Sequence, residues 1–448
     1  MNKFLFQILL IKFTIQISET PFHLFYGWNI TKFSLNNYDI NCTTCMPAGI
    51  KFDNEGNIYV SFPRWFENVY ATFALFNKTT HLFQPWPSLE ENNYNDSNKL
   101  NSVLGFEIFN GTIYILDQGR INGSLPKDNS MKLVVYDIKS KNRTRTYIFP
   151  KEIADPEFAF LNDIVIDINR NLAYISDSGI PIDDKKENKP GLIILNLTVT
   201  DKINATRVLD SNETVMPDET FWLHINKTKV KENSPMKTGI DGIALSCDFN
   251  TLFYTPLTSR MLYSLNIDQM LEHIKNKSHS IIIYSGFKKE ASDGLLYSSN
   301  DNLYITGIES GNIYIAKNID DDLLRMDYRE FKVLKGNIST MWPDTLAIYD
   351  HNLYWISNQL HNFPNNINFD NPITGHDNFR IFYAEIENDG NYLLGCNLMK
   401  INWSFGNIAI WVIFAIAILI FLSFVIMGSN KQEDIIDKNM NLDLKDNY

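Results

Sequence analysis

Three observations predict an all-β fold, a six-bladed β-propeller ectodomain, together with one C-terminal transmembrane helix. The 448-residue chain repeats one strand–turn–strand pattern six times, and its 30 Phe and 21 Tyr favour strands. A short apolar stretch stands near residue 1, and an uncharged apolar stretch of about 20 residues stands near the other end. We therefore divide the chain into a signal peptide (1–19), the propeller (20–400), the membrane helix (408–427) and a short cytoplasmic tail (428–448).

Each repeat combines an alternating apolar strand, a turn rich in Asp, Asn and Gly, and an aromatic second strand, which is the pattern of a β-hairpin. The second strands read GNIYVSFPRW (56–65), GTIYILDQG (111–119), NLAYISDSG (171–179), TLFYTPLTSR (251–260), NLYITGIES (302–310) and NLYWISNQL (352–360). Segments such as KLVVYDIKSKNRTRTYIF (132–149) between the repeats supply a second hairpin. Four strands per repeat predict propeller blades, whereas a two-sheet sandwich array explains neither the number nor the regularity of the copies.

The apolar segments predict the topology of the chain in a membrane. In residues 1–19, Lys3 precedes the apolar core FLFQILLI and Ser18 stands at the small-residue end, as in a secretory signal peptide. The stretch 408–427 matches the thickness of a bilayer. These features predict a single-pass type I protein at the cell surface or in a secretory-pathway membrane, with the propeller outside or in the lumen.

Glycosylation signals agree with this location. The motif Asn-x-Ser/Thr occurs about fourteen times, and an Asn-rich chain makes some of these by chance. We predict glycosylation at seven positions: Asn29, Asn77, Asn110, Asn142, Asn196, Asn226 and Asn337.

The four cysteines are Cys42, Cys45, Cys247 and Cys396. In an oxidising compartment they form at most two disulfides, with three possible connectivities. CTTC would otherwise suggest a redox or zinc motif, but no second Cys pair or His pair at ligand spacing accompanies it. We expect one bridge to join the 42–45 segment to Cys396, because such a bridge would staple the first and last blades together.

The formal charge of −12 and the lack of a Lys/Arg cluster exclude a nucleic-acid partner. The sequence also contains no His-Glu-x-x-His motif, no Gly-x-Ser-x-Gly motif and no phosphate-binding Gly loop. The residues that metalloproteases, serine hydrolases and nucleotide-binding proteins need are therefore not present in their usual motifs. The partners that remain are a small molecule or an extracellular protein, and the sequence does not indicate the oligomeric state.

Polar residues stand where the first strand of a blade begins. In a propeller that strand lines the central channel, so residues distant in sequence converge at one end of the axis. Crowded acids there need compensation, from backbone N–H groups in Asx-type turns, from Ca²⁺, or from a cationic ligand whose ring lies on aromatic faces. The converging residues are Asn162, Asp163, Asp241, Asp293 and Asp344.

Three further residues are candidates for ligand contact at the channel mouth. Arg64 and Trp65 in FPRW would meet a ligand there, or instead pack between blades and pair with an acid. Asn358 holds the corresponding place in the last repeat.

The blocks IYVSFPRWFENVYATFAL, LNDIVIDINRNLAYISDSG, DGIALSCDFNTLFYTPLTSR and LYWISNQLHNF, followed by NFRI, resemble the yellow/major royal jelly protein family over about residues 30–385. The resemblance implies a six-bladed propeller, usually secreted, with roles in dopachrome conversion, small-ligand binding, and nutrition or signalling. It also implies distant kinship with gluconolactonase-like propellers that hold Ca²⁺ at the axis, for which Asn162, Asp241 and Asp293 would be the metal-facing residues. Such enzymes place a Glu in the first blade, where this chain has Pro47–Gly49.

Two functions from different classes follow. The first is a membrane-anchored, glycosylated binding protein whose axial pocket takes a small organic molecule, such as an aromatic amine or catechol derivative, or a protein partner. The second is an isomerase of the dopachrome-tautomerase type, with Asp163, Asp241 and Asp293 as candidate proton-transfer groups. A Ca²⁺-dependent lactonase is a further alternative. We favour binding, because no motif in the sequence requires catalysis.

Overall fold

The computed structural model describes residues 20–35, 38–199, 203–225, 227–317, 332–335, 342–362, 377–386 and 389–396. Their strands form six sheets of four or more strands, each built on an antiparallel core, which are the blades of a propeller. The predicted all-β propeller is therefore confirmed.

The first part of the chain supplies blades 1 to 3. Its strands are β1 (Thr20–Pro21), β2 (His23–Trp28), β3 (Thr31–Leu35), β4 (Tyr38–Cys42), β5 (Ile50–Phe52), β6 (Ile58–Ser61), β7 (Phe73–Asn77), β8 (Leu82–Pro85), β9 (Val103–Phe109), β10 (Thr112–Asp117), β11 (Lys132–Asp137), β12 (Arg143–Ile148), β13 (Leu161–Asp167), β14 (Leu172–Asp177), β15 (Gly191–Asn196) and β16 (Ala205–Val208). Blade 1 is β5 to β8, extended by β3 and β4 at its outer edge; blade 2 is β9 to β12, and blade 3 is β13 to β16.

The second part supplies blades 4 to 6. Its elements are β17 (His224–Ile225), β18 (Thr228–Lys229), β19 (Ile240–Leu245), β20 (Thr251–Pro256), β21 (Met261–Asn266), helix α1 (Ile267–Lys275), β22 (Ile283–Phe287), β23 (Leu295–Tyr297), β24 (Asn302–Gly307), β25 (Asn312–Lys317), β26 (Lys332–Lys335), β27 (Pro343–Tyr349), β28 (Asn352–Ser357) and β29 (Phe379–Glu385). Blade 4 is β19 to β22, blade 5 is β23 to β26 with β1 at its edge, and blade 6 is β27 to β29 with β2. The hairpin β17–β18 stands apart from the blades.

The innermost strands form a closed ring, because β5, β9, β13, β19, β23 and β27 each contact the next and β27 contacts β5. We call the end where these strands begin the acidic end, and the end where they turn into the second strand the turn end. Glycines permit the close approach of neighbouring blades. A Cβ on Gly242 would lie 2.2 Å from the carbonyl oxygen of Asp293, and one on Gly294 would lie 2.2 Å from that of Asp344.

The ring closes through backbone hydrogen bonds. Strand β2 pairs antiparallel with β29, with His23 opposite Tyr383 and Trp28 opposite Phe379, so the N-terminal part of the propeller completes its last blade. Three of the six residues of β2 are the aromatic residues Phe25, Tyr26 and Trp28, a type that is enriched in strands.

The predicted bridge between the 42–45 segment and Cys396 is wrong. The disulfides are Cys42–Cys45 and Cys247–Cys396. The first closes the short turn that follows β4 at the outer edge of blade 1, so its cysteines are already satisfied locally. Because the pairing of β2 with β29 closes the ring, no disulfide between the first and last blades is needed.

Residues 389–396, the C-terminal segment, run across the turn end of blades 3 to 5. Asp389 Oδ2 accepts hydrogen bonds of 2.8 Å from both Asn302 Nδ2 and Tyr304 Oη of blade 5. Tyr392 Oη accepts a 3.0 Å bond from the backbone N–H of Ile166 in β13. The bridge from Cys396 to Cys247 fixes the end of this segment to the β19–β20 turn of blade 4.

No helix within the described ranges is long and apolar enough to span a membrane. The predicted signal peptide (1–19), membrane helix (408–427) and tail (428–448) all lie outside those ranges. They therefore stay predictions.

The described glycosylation candidates lie near strand ends. Asn77, Asn110 and Asn142 are exposed, while Asn29 and Asn196 are half-buried. The predicted sites at positions 226 and 337 are outside the described residues. Accessible acceptors are what glycosylation needs, and whether they carry glycans stays a prediction.

Candidate functional site

The polar residues that start the inner strands sit on irregularities in the strand pairing. The β13–β14 register shifts between Leu161 and Ile164, and the β19–β20 register shifts between Ile240 and Ile243. A third shift lies after Pro343 in the β27–β28 pair. Bulges of this kind redirect side chains and are common beside functional sites. Because of these bulges, the side chains of the axial polar residues do not follow the in–out alternation of the rest of the inner strand.

The structure brings the predicted residues of blades 3 to 5 into one hydrogen-bonded group. Asn162 Nδ2 donates to Asp241 Oδ2 at 2.8 Å and to Ser178 Oγ at 3.1 Å. Asp241 and Asp293 are hydrogen-bonded to each other through their carboxyl groups. Trp342 Nε1 donates to Asp293 Oδ2 at 2.5 Å.

Blade 6 extends this group toward blade 1. Asn358 Nδ2 donates to Asp344 Oδ2 at 2.8 Å and to the carbonyl of Pro47 at 3.0 Å. Asn358, predicted only as a ligand contact, therefore bonds an axial acid and links the last blade to the start of the first; its contact with a ligand stays a prediction. We call Asp163, Asp241, Asp293 and Asp344 the axial carboxyl cluster.

Burial and mutual repulsion govern the ionisation of the axial carboxyl cluster. Asp241, Asp293 and Asp344 are 2%, 7% and 6% exposed, which removes them from the water that would stabilise their charge. Burial, and then repulsion from Asp293, raises the pKa of Asp241 well above its ordinary value, and the same two causes act on Asp344. Burial raises the pKa of Asp293 to about 6, although its bonds with Asp241 and Trp342 oppose the rise. Near neutral pH, some carboxyl groups of the cluster therefore keep their proton, and its total negative charge is smaller than the number of its carboxyl groups.

Asp163 is more exposed than the other three carboxyl groups of the axial cluster. Asp163 and its neighbour Asn162 are half-buried, whereas the other three carboxyl groups are buried. Burial still raises the pKa of Asp163 to about 6, and the charge of Lys51 opposes that rise. Lys51 itself contacts Glu107 at 3.4 Å and the carbonyl of Leu346 at 3.4 Å.

One cation beside the cluster was not predicted. Lys288 follows β22, the outer strand of blade 4, and is 4% exposed. Burial lowers its pKa to about 7, and the charges of Asp241 and Asp293 partly oppose this. Lys288 is one of two lysines in GFKKE (286–290), outside the repeated hairpins, so no pattern in the sequence singles it out.

Apolar and aromatic side chains border the acids. Trp342, which bonds Asp293, stacks on the ring of His361 with a centroid distance of 6.1 Å. It also belongs to a buried apolar cluster that contains Leu223 and Ile225 of the insertion between blades 3 and 4. Burial lowers the pKa of His361 to about 4, so its ring is neutral at physiological pH. A buried aromatic ring therefore packs directly beside the carboxyl groups of the acidic end.

Arg64 and Trp65 make contacts that hold the fold together. The Arg64 guanidinium donates to the carbonyls of Asn101 and Asn92, both at 2.7 Å, and its carbon lies 4.7 Å from the centre of the Tyr94 ring. Trp65 is half-buried against the apolar core of blade 1. These contacts match the packing alternative, so we leave both residues out of the proposed site.

The residues proposed for Ca²⁺ do not assemble its ligands. Ca²⁺ takes about six to eight oxygens around one point. Asp241 and Asp293 are bonded to each other and to the N–H donors of Asn162 and Trp342. In the described ranges, three potential ligand atoms of His, Cys, Asp or Glu come together only at Cys247, Asp301 and Cys396, where the cysteines form a disulfide. We therefore derive no chemistry through a metal.

A six-bladed β-propeller with a buried, partly protonated carboxyl cluster at one end of its axis is the class of protein that this fold and site define. The sequence profile described as "Major royal jelly protein" matches residues 109–392, more than half of the chain. The chain belongs to the major royal jelly protein family, which confirms the resemblance seen in the sequence.

Similar proteins include major royal jelly protein 3 of Apis mellifera, 25% identical over 260 residues, which are 52% of this chain and 44% of that protein. Major royal jelly protein 7 of the same species is 28% identical over 208 residues, 44% of this chain and 42% of that protein. The chain thus matches about half the length of these curated relatives. Among solved structures, a gluconolactonase from Xanthomonas campestris has a TM-score of 0.43 at 9% identity, covering 76% of this chain and 86% of that chain.

Proposed function

We propose that the acidic end of this propeller binds a small organic cation, an aromatic amine of the catechol type. One observation carries the proposal, which is the gathering of Asp241, Asp293 and Asp344 from three blades into one buried group. The ammonium of such a ligand would lie among these carboxyl groups, and its ring would meet the aromatic surface of Trp342.

The electrostatics of the cluster support a cation rather than an anion. Lys51 is occupied by Glu107, and burial makes the positive charge of Lys288 incomplete at neutral pH. An added positive charge favours the ionised form of a carboxyl group and so relieves the repulsion that raises the pKa of Asp241. Binding should therefore release protons at neutral pH.

We further propose that the protein displays this site outside the cell, as a glycosylated protein held by the predicted 408–427 helix. Two disulfides and the exposed acceptors Asn77, Asn110 and Asn142 support an oxidising, extracellular environment. Treating the purified chain with a glycosidase that removes N-linked glycans would show a mass decrease if the acceptors are used.

Calorimetry with dopamine tests the binding proposal on the full-length chain. We expect saturable binding at pH 7.5, with 4-methylcatechol, which has no ammonium group, binding at least about tenfold more weakly. Asp293→Asn should weaken dopamine binding about tenfold or more. Binding should also weaken between pH 7 and pH 5, because the pKa of about 6 for Asp163 and Asp293 means that both lose their charge in this range.

The matched control is Asp128→Asn, which makes the same change at an exposed position of the β10–β11 loop. Dopamine affinity should be unchanged in this variant. Equal affinity for dopamine and 4-methylcatechol, or no effect of Asp293→Asn, would contradict the proposal.

A second candidate function is the isomerase of the dopachrome-tautomerase type, and one observation favours it. Lys288 and Asp293, with pKa values of about 7 and about 6, interact electrostatically in the same buried group. A general base and a general acid with pKa values near the working pH are what removal and return of a substrate proton require.

Loss of dopachrome colour measures this activity. If the isomerase proposal holds, Lys288→Met should lower the rate by about a hundredfold or more, since such proton transfers contribute roughly 10²–10⁴. Dopamine binding by the same variant, measured by calorimetry, reports whether the site is intact. Turnover that is equal in wild type and Lys288→Met, or that is not above the rate in buffer, would remove this candidate.

A further inference from the structure

Gln118 is a buried polar residue whose side chain has no partner. It directly follows β10 and is completely buried. Neither its Oε1 nor its Nε2 has a hydrogen-bond partner among the described residues. Buried polar groups are nearly always hydrogen-bonded, and leaving both ends of an amide unpaired is costly. A side chain kept in this state calls for a partner from outside the chain.

The repeats show where this side chain points. Ser178 in blade 3 and Asn358 in blade 6 hold the same place as Gln118, one residue after the second strand of the blade. Ser178 Oγ donates to the carbonyl of Ile240 at 2.7 Å, at the start of the inner strand of the next blade. Asn358 donates to Asp344. Both side chains therefore face the acidic end of the axis.

The backbone of blade 2 matches that of blade 3 at this place. The N–H of Gln118 donates to the carbonyl of Ser102, and the N–H of Ser178 donates to that of Phe160, both at 3.0 Å. In each blade the aspartate before this residue accepts a 3.0 Å bond from the glycine after it, Gly119 or Gly179. Equal backbone bonding gives the two side chains the same direction, so Gln118 faces the axis too.

Blade 2 differs from blades 3 and 6 in what Gln118 can reach. The inner strand of blade 2 has Leu104 and Gly105 where blade 3 has Asn162 and Asp163. Gly105 supplies no side-chain partner for Gln118, and it packs so closely on blade 3 that a Cβ there would lie 2.4 Å from the carbonyl oxygen of Asn162. The acidic end therefore has carboxyl groups on the side of blades 3 to 6 and one unpaired neutral amide on the side of blade 2.

We infer that Gln118 is a specificity-determining residue that binds a ring hydroxyl group of the ligand, and that the site prefers hydroxylated aromatic amines to unhydroxylated ones. This inference rests on the proposed amine-binding function. The ammonium would lie among the carboxyl groups, and a hydroxyl at the other end of the ligand would both donate to Oε1 and accept from Nε2 of Gln118. A ligand without that hydroxyl leaves the amide unpaired.

Dopamine and phenethylamine test the inference, since they share the ammonium and the ring and differ only in two hydroxyl groups. With wild-type full-length chain, calorimetry should give about tenfold or greater preference for dopamine. Gln118→Met should weaken dopamine binding about tenfold and leave phenethylamine binding within about twofold of wild type. Its melting temperature should equal or exceed that of wild type, because an unpaired buried amide is replaced by an apolar chain of similar length.

Two further variants complete the experiment. Gln118→Ser introduces the residue that blade 3 has at this place, so it suits the backbone, but its side chain is shorter. This variant should lose the preference for dopamine as Gln118→Met does. It replaces Gln118→Met in the experiment if that variant fails to fold. Gln84→Met makes the same change on the exposed face of β8 and should retain the preference. If neither amine binds wild type, the proposed function is wrong. If both bind and the Gln118 variants keep the wild-type preference, the inference alone is wrong.

Discussion

The full-length chain with Cys247→Ala and Cys396→Ala is expected to lose about 5 kcal/mol of its free energy of unfolding. The bridge joins residues 149 positions apart, and cross-links that close long loops restrict the unfolded chain most. Its loss also frees the C-terminal segment, whose Tyr392 is 3% exposed and bonds the inner strand of blade 3. Urea denaturation under non-reducing conditions measures the change.

The Cys42–Cys45 bridge provides the matched control. Its cysteines are 3 positions apart, so Cys42→Ala with Cys45→Ala should cost only about 1–2 kcal/mol by the same relation. Equal losses in the two double variants would show that loop length does not set the contribution of these bridges.

Asp241→Asn is expected to stabilise the protein at neutral pH while it weakens amine binding. The new amide can donate to the Asp293 carboxylate where the wild type places a proton, and its oxygen can still accept from Asn162. The gain should be about 2 kcal/mol at pH 7.5, because the variant removes a carboxyl group whose own pKa is raised well above its ordinary value by burial and by repulsion from Asp293. For a propeller of this size we expect a rise of about 2–4 °C in melting temperature.

The gain in stability of Asp241→Asn should depend on pH, and the raised pKa values determine in which direction. Because the folded-state pKa values of Asp241 and Asp293 are both raised, the folded protein binds more protons than the unfolded chain between about pH 4 and neutral pH. The free energy of unfolding of wild type should therefore fall as the pH rises through this range. Melting temperatures at pH 4 and pH 7.5 should show little gain for Asp241→Asn at the lower pH and the full gain at the higher one. A lower melting temperature at pH 7.5 would contradict the shared-proton arrangement.

The architecture and the axial acids were predictable because they depend on local periodicity. Alternation and turn residues mark each hairpin, and six hairpins leave few folds to consider. Once the fold was a propeller, the start of each inner strand had to lie at the axis, so Asp241, Asp293 and Asp344 could be placed together without coordinates. Their bonding could not be predicted, since it depends on bulges that shift the register by a residue.

The remaining errors and omissions concern contacts between distant parts of the chain. The pairing of β2 with β29 joins residues more than 350 positions apart and leaves no periodic signal near either strand. The partner of Cys396 depends on the path of the C-terminal segment, which has few regular elements. Trp342 and Lys288 lie between blades, where the repeats do not resemble one another.

The insertion of β2 into the last blade has a consequence for biosynthesis. A ribosome makes β2 early, but the strand that accepts it, β29, emerges only after nearly all of the other blades. Until then the nascent polypeptide carries an unpaired aromatic strand at one end and an incomplete sheet at the other, and such edges can associate with neighbouring chains. The yield of native protein should thus depend on how well chaperones shield these two segments until synthesis is almost finished.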